Sequence, residues 1–148
     1  MKSLLLYLSL CLLPMLCVSQ VQSTTVKLLD LSVHPSAEVD SVTGLPLDTS
    51  IISYNLDFKV NAAADASQAR ILFGTTQNSG DILDFIATFT LVAGQYYLNY
   101  NGNSNIVTGY NARIKVGLTG TQEAAFNYIT LYLLDNQGQE TNRLYFVK

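Results

Sequence analysis

Apolar and polar residues alternate along much of the chain, and the clearest case runs from Ile52 to Val60. Every second position there is apolar, and Ser53, Asn55, Asp57 and Lys59 lie between the apolar residues. Because successive side chains of a strand point to opposite faces, a period of two indicates one buried face and one polar face. The segment is therefore predicted to be a half-buried β-strand.

The same period, or a short apolar run bounded by turn residues, recurs along the rest of the chain. Turn signals rich in Gly, Asn, Asp and Pro separate these runs, and no stretch has a convincing helical period. Seven to eight short strands at this spacing predict an all-β fold, a two-sheet antiparallel sandwich, with a small barrel as the alternative. The other predicted strands are 26–33, 69–73, 82–91, 95–100, 112–118, 126–134 and 143–147.

The N-terminal segment has the features of a secretory signal peptide. Lys2 supplies a positive charge, and residues 4–13 form an apolar stretch. Cys17 and Ser19 would occupy the −3 and −1 positions if cleavage fell before Gln20, which fits the preference for small residues there. The apolar run is shorter than the roughly 20 residues that cross a bilayer, so no integral membrane segment is expected after cleavage.

Cleavage at this point would divide the chain into three parts. Residues 1–19 are the expected signal peptide, residues 20–25 a flexible lead-in, and residues 26–148 a single β-sandwich domain. Both cysteines, Cys11 and Cys17, would leave with the signal peptide, so the mature chain would contain no disulfide. An exported domain without cysteine is more typical of bacteria than of animals, and we expect it in a periplasm, on a cell surface or in the medium.

The charge of the chain argues against two classes of partner. The formal net charge is −3, and loss of Lys2 would make it one unit more negative. Proteins that follow a phosphate backbone carry a basic patch, whereas the basic residues here are scattered and only Arg113 and Lys115 stand close together. Neither nucleic acid nor an anionic membrane surface is therefore an expected partner.

The C-terminal segment resembles a known class of domain. An alternating strand from Tyr128, the turn sequence from Asp135 to Gly138, and a closing strand from Arg143 to Val147 are similar to the last two strands of bacterial immunoglobulin-like or fibronectin-type-III-like modules. The resemblance implies an immunoglobulin-like sandwich and no activity, because this architecture carries many functions. The mature chain lacks the cysteine pair and core tryptophan of antibody-type domains.

No combination of residues predicts catalysis, a metal site or a cofactor. His34 is the only histidine, and it has no second histidine or mature cysteine to complete a zinc site. Asp81 and Asp84 could be a carboxylate pair, but on a strand they would point to opposite faces, and turn and capping roles are favoured. The sequence therefore predicts that the protein is not an enzyme.

The last long strand and the closing strand suggest a docking surface. If Ile129, Leu131 and Leu133 face the core, the alternate residues form an outer face that can mark a partner contact. Tyrosine is also an ordinary cross-strand residue, which is the competing interpretation. The predicted partner-binding residues are Tyr128, Thr130, Tyr132 and Tyr145.

A second cluster of tyrosine and asparagine lies between residues 97 and 110. Sugars are bound by aromatic rings and by amide groups, so this region is the alternative ligand site of a carbohydrate-binding module. The same composition also describes a polar loop. The predicted ligand-binding residues are Tyr97, Asn99, Asn101, Asn103, Asn105 and Tyr110.

Together these features predict an exported, non-catalytic interaction or structural module. It would dock on a protein partner, or on copies of itself, through the tyrosine face or a sheet edge. Glycan binding at residues 97–110 is the alternative function.

Overall fold

The computed structural model describes residues 25–36 and 50–148. The expected signal peptide, both cysteines and most of the expected lead-in lie outside these residues. The described residues form nine strands, a six-residue helix and a 3₁₀ turn at Ala63–Asp65. The elements are β1 (Leu28–Ser36), β2 (Ile51–Val60), β3 (Ala66–Gly74), β4 (Leu83–Val92), β5 (Gln95–Tyr100), β6 (Asn103–Ile106), β7 (Asn111–Thr119), α1 (Gly120–Ala125), β8 (Tyr128–Asp135) and β9 (Leu144–Val147).

Three strands form the smaller sheet, in which β2 lies between β1 and β7 and all pairs are antiparallel. The predicted alternation in β2 is confirmed, because Leu56 and Phe58 are buried while Lys59 is exposed. On the outer face, Arg113 of β7 lies opposite Asp57 of β2. Arg113 Nε and Nη2 donate to the two oxygens of Asp57 at 2.6 and 3.0 Å. Cross-strand ion pairs thus occupy the solvent side of this sheet.

The larger sheet has six strands in the order β6-β5-β4-β3-β8-β9, again antiparallel. Two-residue turns join β4 to β5 at Ala93-Gly94 and β5 to β6 at Asn101-Gly102. All four turn residues have positive φ, the geometry that matches the twist of a tight hairpin. The strands β4, β5 and β6 therefore form a continuous meander, and beyond β6 no further strand follows among the described residues.

The hydrophobic core fills the space between the two sheets. Its largest fully buried side chains include Phe58 from the smaller sheet and Phe73 from the larger one. Phe126 packs edge-on against Phe73 and Tyr54, with ring centroids 5.3 and 5.5 Å apart. Apolar burial of this kind contributes about 25 cal/mol for each Å² removed from water, so packing is the main source of stability in this fold.

Polar side chains connect the sheets along both sides of the sandwich. On the β1 side, the Asn142 amide accepts from Leu28 N–H and donates to Leu28 C=O, both at 2.9 Å. On the β7 side, the Tyr100 hydroxyl accepts from Lys115 N–H at 3.1 Å. Asn105 Nδ2 donates to Arg113 C=O at 3.0 Å. These bonds satisfy main-chain groups at the edges of the smaller sheet.

The helix α1 lies between β7 and β8 in the chain and is tied to β2 and to the end of β9 by side-chain bonds. A capping box joins Thr119 and Gln122 at its start. Glu123 accepts a hydrogen bond from the Tyr54 hydroxyl at 3.0 Å and pairs with Lys148 Nζ at 2.7 Å. Burial, and then the bond to Glu123, raise the pKa of Tyr54 to about 12. The chain end, the helix and β2 are therefore held together.

The predicted all-β fold with two antiparallel sheets is confirmed, but the number of strands is larger than predicted. The strand β6 was expected to be part of a polar loop, because Asn103-Ser104-Asn105-Ile106 contains one apolar residue and shows no alternation. The helix α1 was missed because six residues are too few for a helical period. Three of the predicted strands, 26–33, 69–73 and 126–134, differ from the observed strands by two or three residues at one end or both.

Candidate interaction surface

The predicted tyrosine face is largely covered by the protein itself. Tyr128, Thr130 and Tyr132 do point to the outer side of the six-stranded sheet, but Thr130 is 0% exposed and Tyr132 is 5% exposed. Tyr145 on β9 is 42% exposed. The expectation of an open surface through Thr130 and Tyr132 is therefore wrong. Whether Tyr128 and Tyr145 bind a partner stays a prediction.

The cover is the loop between β3 and β4, whose tip is Asn78. Its N–H donates to Thr130 Oγ1 at 3.2 Å, and its Oδ1 accepts from Arg143 Nη1 at 2.9 Å and from the Tyr145 hydroxyl at 3.2 Å. Arg143 in turn lies over the Tyr132 ring, 4.5 Å from its centroid. These contacts use the outward groups of β8 and β9 within the molecule, which explains the burial.

Asp81 fixes the shape of this loop. Its Oδ1 accepts from Ser79 Oγ at 2.5 Å and from Thr75 N–H at 3.0 Å, and its Oδ2 accepts from Thr75 Oγ1 at 2.7 Å. The bonds from Ser79 and Thr75 stabilise the ionised form and lower the pKa of Asp81 to about 2. A side chain at Gly74 would overlap Ser79, so glycine permits the loop to fold back closely. The favoured turn role is confirmed for Asp81 but is wrong for Asp84, which lies within β4 and pairs with Arg70.

The predicted glycan-binding residues are divided between three places. Tyr97 and Asn99 lie on the outer side of β5, where Asn99 Nδ2 donates to Thr90 Oγ1 at 2.5 Å. Tyr110 is 62% exposed in the turn before β7. Only three residues of the set, Asn101, Asn103 and Asn105, line one common groove.

This groove lies where the two sheets diverge, between the edge of β7 and the β5–β6 hairpin. Its volume is about 630 Å³. The buried rings of Phe85 and Tyr100 form part of its lining, as does the edge residue Gly117. Since both rings are almost fully buried, they offer little face for stacking against a sugar. The groove thus presents amide groups without an exposed aromatic platform.

Sequence reasoning overlooked a different surface, although the sequence carries its signal. No charged residue and no histidine occur from Phe85 to Ala112, a segment that contains most of β4 and all of β5 and β6. Edge strands commonly carry charges that prevent pairing with other chains. Among the described residues, five of the nine large apolar side chains that are exposed belong to this segment, namely Ile86, Leu91, Val92, Ile106 and Tyr110.

The strand register places many of these residues on one side of the sheet. Thr90, Tyr97 and Ile106 form one row across β4, β5 and β6, and Thr88, Asn99 and Ser104 form the next. The ion pair between Arg70 and Asp84 marks the border towards β3. All members of this surface are exposed or half-buried. We call it the charge-free face and define it as Ile86, Thr88, Thr90, Val92, Tyr97, Asn99, Ser104 and Ile106.

The free edge of this face also exposes main-chain groups. Val107 N–H donates to Tyr96 C=O. Asn105 and Asn103 lie two and four residues before Val107, so their main-chain N–H and C=O groups also face β5. The N–H and C=O groups of Ser104 and Ile106 must then point away from β5. Within the described residues, no other strand pairs with this edge of β6.

Neither metal ligands nor membrane helices are evident in the described part of the chain. No group of three or more His, Cys, Asp or Glu residues is close enough there to hold a metal ion. No helix in residues 25–36 and 50–148 is long and apolar enough to cross a membrane. His34 lies exposed on β1 opposite Asn55.

Comparison of the chain with models of known protein families, with curated proteins and with solved structures finds no match. The surface chemistry and the fold therefore carry the functional conclusion.

Proposed function

We propose that this protein is an exported, non-catalytic interaction module that docks through the charge-free face. The observation that carries the proposal is the coincidence of an uncharged segment, Phe85 to Ala112, with a sheet edge that no described strand covers and with three exposed apolar side chains on one face, Ile86, Val92 and Ile106. The cores of protein interfaces are depleted of charge and enriched in apolar and aromatic groups. The rest of the described surface carries ion pairs, such as Arg113 with Asp57, that keep it hydrated.

The exported location and the finer fold class belong to the same proposal. The charge at Lys2 followed by the apolar residues 4–13 supports export. Two antiparallel sheets around one core, and a turn in which Asp135 Oδ1 accepts from the N–H groups of Gln137 and Gln139, support an immunoglobulin-like module in the broad sense. Such modules commonly serve as binding or structural units.

The native mass of the protein in extracts of the cells that make it tests docking directly. We expect the wild-type chain to migrate well above the mass of one processed chain, which is smaller than the 16.2 kDa of the full sequence. Ile86→Lys should return it to the monomer position, because a buried unpaired ammonium costs several kcal/mol at an interface. Ile86 lies within the face but outside the free edge, and it is 47% exposed, so lysine is compatible with folding.

Val147→Lys is the matched control. Val147 is also an exposed apolar residue of a strand in the six-stranded sheet, but it lies on β9 at the opposite edge. This variant should keep the high native mass. A wild-type chain that is monomeric in the extract, or equal effects of the two substitutions, would refute docking through the charge-free face.

Glycan binding in the groove is a second candidate, supported by its lining. Asn101, Asn103 and Asn105 bring three side-chain amides to one groove of about 630 Å³. A ligand that binds only the folded state raises the melting temperature, and the stabilisation grows with the logarithm of the ligand concentration above its Kd. Neutral oligosaccharides should then stabilise the wild type but not Asn103→Ala, which removes an exposed amide. Thermal shifts that are absent for every glycan tested would exclude this function.

A further inference from the structure

We propose that the groove between β7 and the β5–β6 hairpin binds a saccharide that carries an acetamido group, and that this group hydrogen-bonds to the main chain of Gly117. This inference rests on glycan binding in the groove, the second candidate function, and specifies its ligand. An acetamido group contains one N–H, one C=O and one methyl group, and the groove offers a partner for each of them beside Gly117.

The main-chain groups of Gly117 point away from β2. Lys115 N–H donates to the Tyr100 hydroxyl and Arg113 C=O accepts from Asn105, so these main-chain groups also face away from β2. Gly117 lies two residues after Lys115 on the same strand, so its N–H and C=O have the same direction. Gly117 lines the groove, and among the described residues neither of its outward groups has a hydrogen-bond partner.

The neighbouring positions of this edge are unsuited to an added strand. Lys115 N–H is already bonded to Tyr100, and Thr119 N–H donates to Gln122 Oε1 at 3.0 Å. A strand that joins a sheet edge bonds to the N–H and C=O of every second residue. An extended peptide would therefore meet occupied groups on both sides of Gly117. A ligand with a single amide group fits this edge better than a strand does.

Side chains beside Gly117 suit the remainder of such a ligand. Ile51 is 42% exposed, and its Cγ2 would lie only 2.9 Å from a Cβ atom at position 117. Ile51 and Leu83 both line the groove and offer apolar contact to the methyl group. Asn101 and Asn103 line it as well, and their exposed amides can bond to ring hydroxyls.

Chitotriose and cellotriose are a matched pair of ligands for the purified protein, because each ring differs only in an acetamido group or a hydroxyl at C2. Chitotriose should raise the melting temperature. Cellotriose should bind about tenfold more weakly or worse, because it lacks the amide that pairs with Gly117.

The outcomes separate this proposal from glycan binding itself. Equal stabilisation by the two sugars would overturn the choice of an acetamido group and leave glycan binding in the groove intact. Stabilisation by neither sugar would also overturn it, and glycan binding is lost as well only when every other glycan fails.

Amide resonances locate the ligand independently of its affinity. In two-dimensional spectra of isotope-labelled protein, chitotriose should shift the N–H resonance of Gly117 more than that of Gly94. Gly94 is the control because it lies in the β4–β5 turn, at the other end of β5 from the groove. A Gly117 resonance that stays in place at saturating chitotriose would overturn the proposal.

Ile51→Thr tests the contact with the methyl group. Threonine keeps a β-branched side chain at this exposed strand position, so the fold should tolerate it. Chitotriose should bind about threefold more weakly or worse, because apolar contact is lost. Val147→Thr, an exposed position of β9 outside the groove, should leave the Kd within about twofold. Binding that tolerates Ile51→Thr, or that both substitutions weaken equally, is evidence against this arrangement and overturns it.

Discussion

Asn78 covers the outer side of β8 and β9, so among the described residues the surface of β4, β5 and β6 is the one that stays exposed. It adopts a positive φ of 66° at the tip of the β3–β4 loop and bonds to β8, β9 and Arg143. Asparagine tolerates this left-handed conformation better than most residues do. The outward groups of β8 are thereby satisfied inside the molecule, whereas no equivalent loop in the described chain covers β4, β5 and β6.

Substitutions at Asn78 separate its backbone role from its hydrogen bonds. Asn78→Gly retains the positive φ but removes the acceptor for Arg143 and Tyr145, and it should destabilise the protein by about 1 kcal/mol. Asn78→Ala should cost about 1–2 kcal/mol more because of the left-handed backbone. Urea unfolding measures both. Asn101→Gly is the control, since Asn101 also has positive φ. Equal stability of the Asn78 variants and the wild type would contradict the role of the loop.

The Asp81 carboxylate makes stability depend on pH in acid. Its pKa is about 2 in the folded state and near its ordinary value of 3.8 in the unfolded chain, so the folded state binds fewer protons. The contribution is present above about pH 4 and is lost as the pH falls towards 2.

Asp81→Asn should remove this part of the pH dependence. Denaturant unfolding at several pH values from 2 to 5 would show a flatter profile for the variant, with a residual slope from Glu123, whose pKa is also lowered by Lys148 and Tyr54. Identical slopes for variant and wild type would show that the carboxylate does not hold the loop.

At the scale of elements, the strands with strong alternation were predictable and the short polar ones were not. Alternating apolar residues identified β2 because its inner face is buried in the core. The Asn101-Gly102 turn was also predictable, yet the strand after it was not, because β6 is held by pairing to β5 rather than by burial of apolar residues. The capping box of Thr119 and Gln122 was the available signal for α1.

The charge-free face was harder to predict. It is the exposed surface only because the β3–β4 loop covers the tyrosine face on β8 and β9. Alternation placed Tyr132 on the outer side of β8, as observed, but it could not show that Arg143 and Asn78 would cover that side. The absence of charge from Phe85 to Ala112 was visible in the sequence. This absence of charge indicated a docking surface only once β6 was found to be the outermost described strand of its sheet.

Asn142 links elements that are distant in sequence, and its removal should be costly. Asn142→Ala leaves both Leu28 N–H and Leu28 C=O without their partner, with an expected loss of about 1–3 kcal/mol in the free energy of unfolding. Asn136→Ala is the matched control, because Asn136 Nδ2 makes a single exposed bond to Ala64 C=O. Chemical denaturation of the pair should rank Asn142→Ala as clearly less stable. The reverse order would contradict the role of Asn142 between the sheets.

At the scale of the whole molecule, we propose export together with docking. A protein that acts outside the cell would lose residues 1–19, and the remaining chain would begin at Gln20. N-terminal sequencing of the protein recovered from an envelope or culture fraction should read Gln20-Val21-Gln22. An intact Met1 in the recovered protein would contradict export by a cleaved signal peptide.

The charge-free face is the central claim, and hydrogen–deuterium exchange of the associated protein tests it most directly. Peptides from residues 85–106 should exchange more slowly in the wild type than in Ile86→Lys, because association covers β4, β5 and β6. Peptides from β9 and α1 should exchange equally in both proteins. Equal exchange over residues 85–106, or protection confined to β8 and β9, would contradict the account.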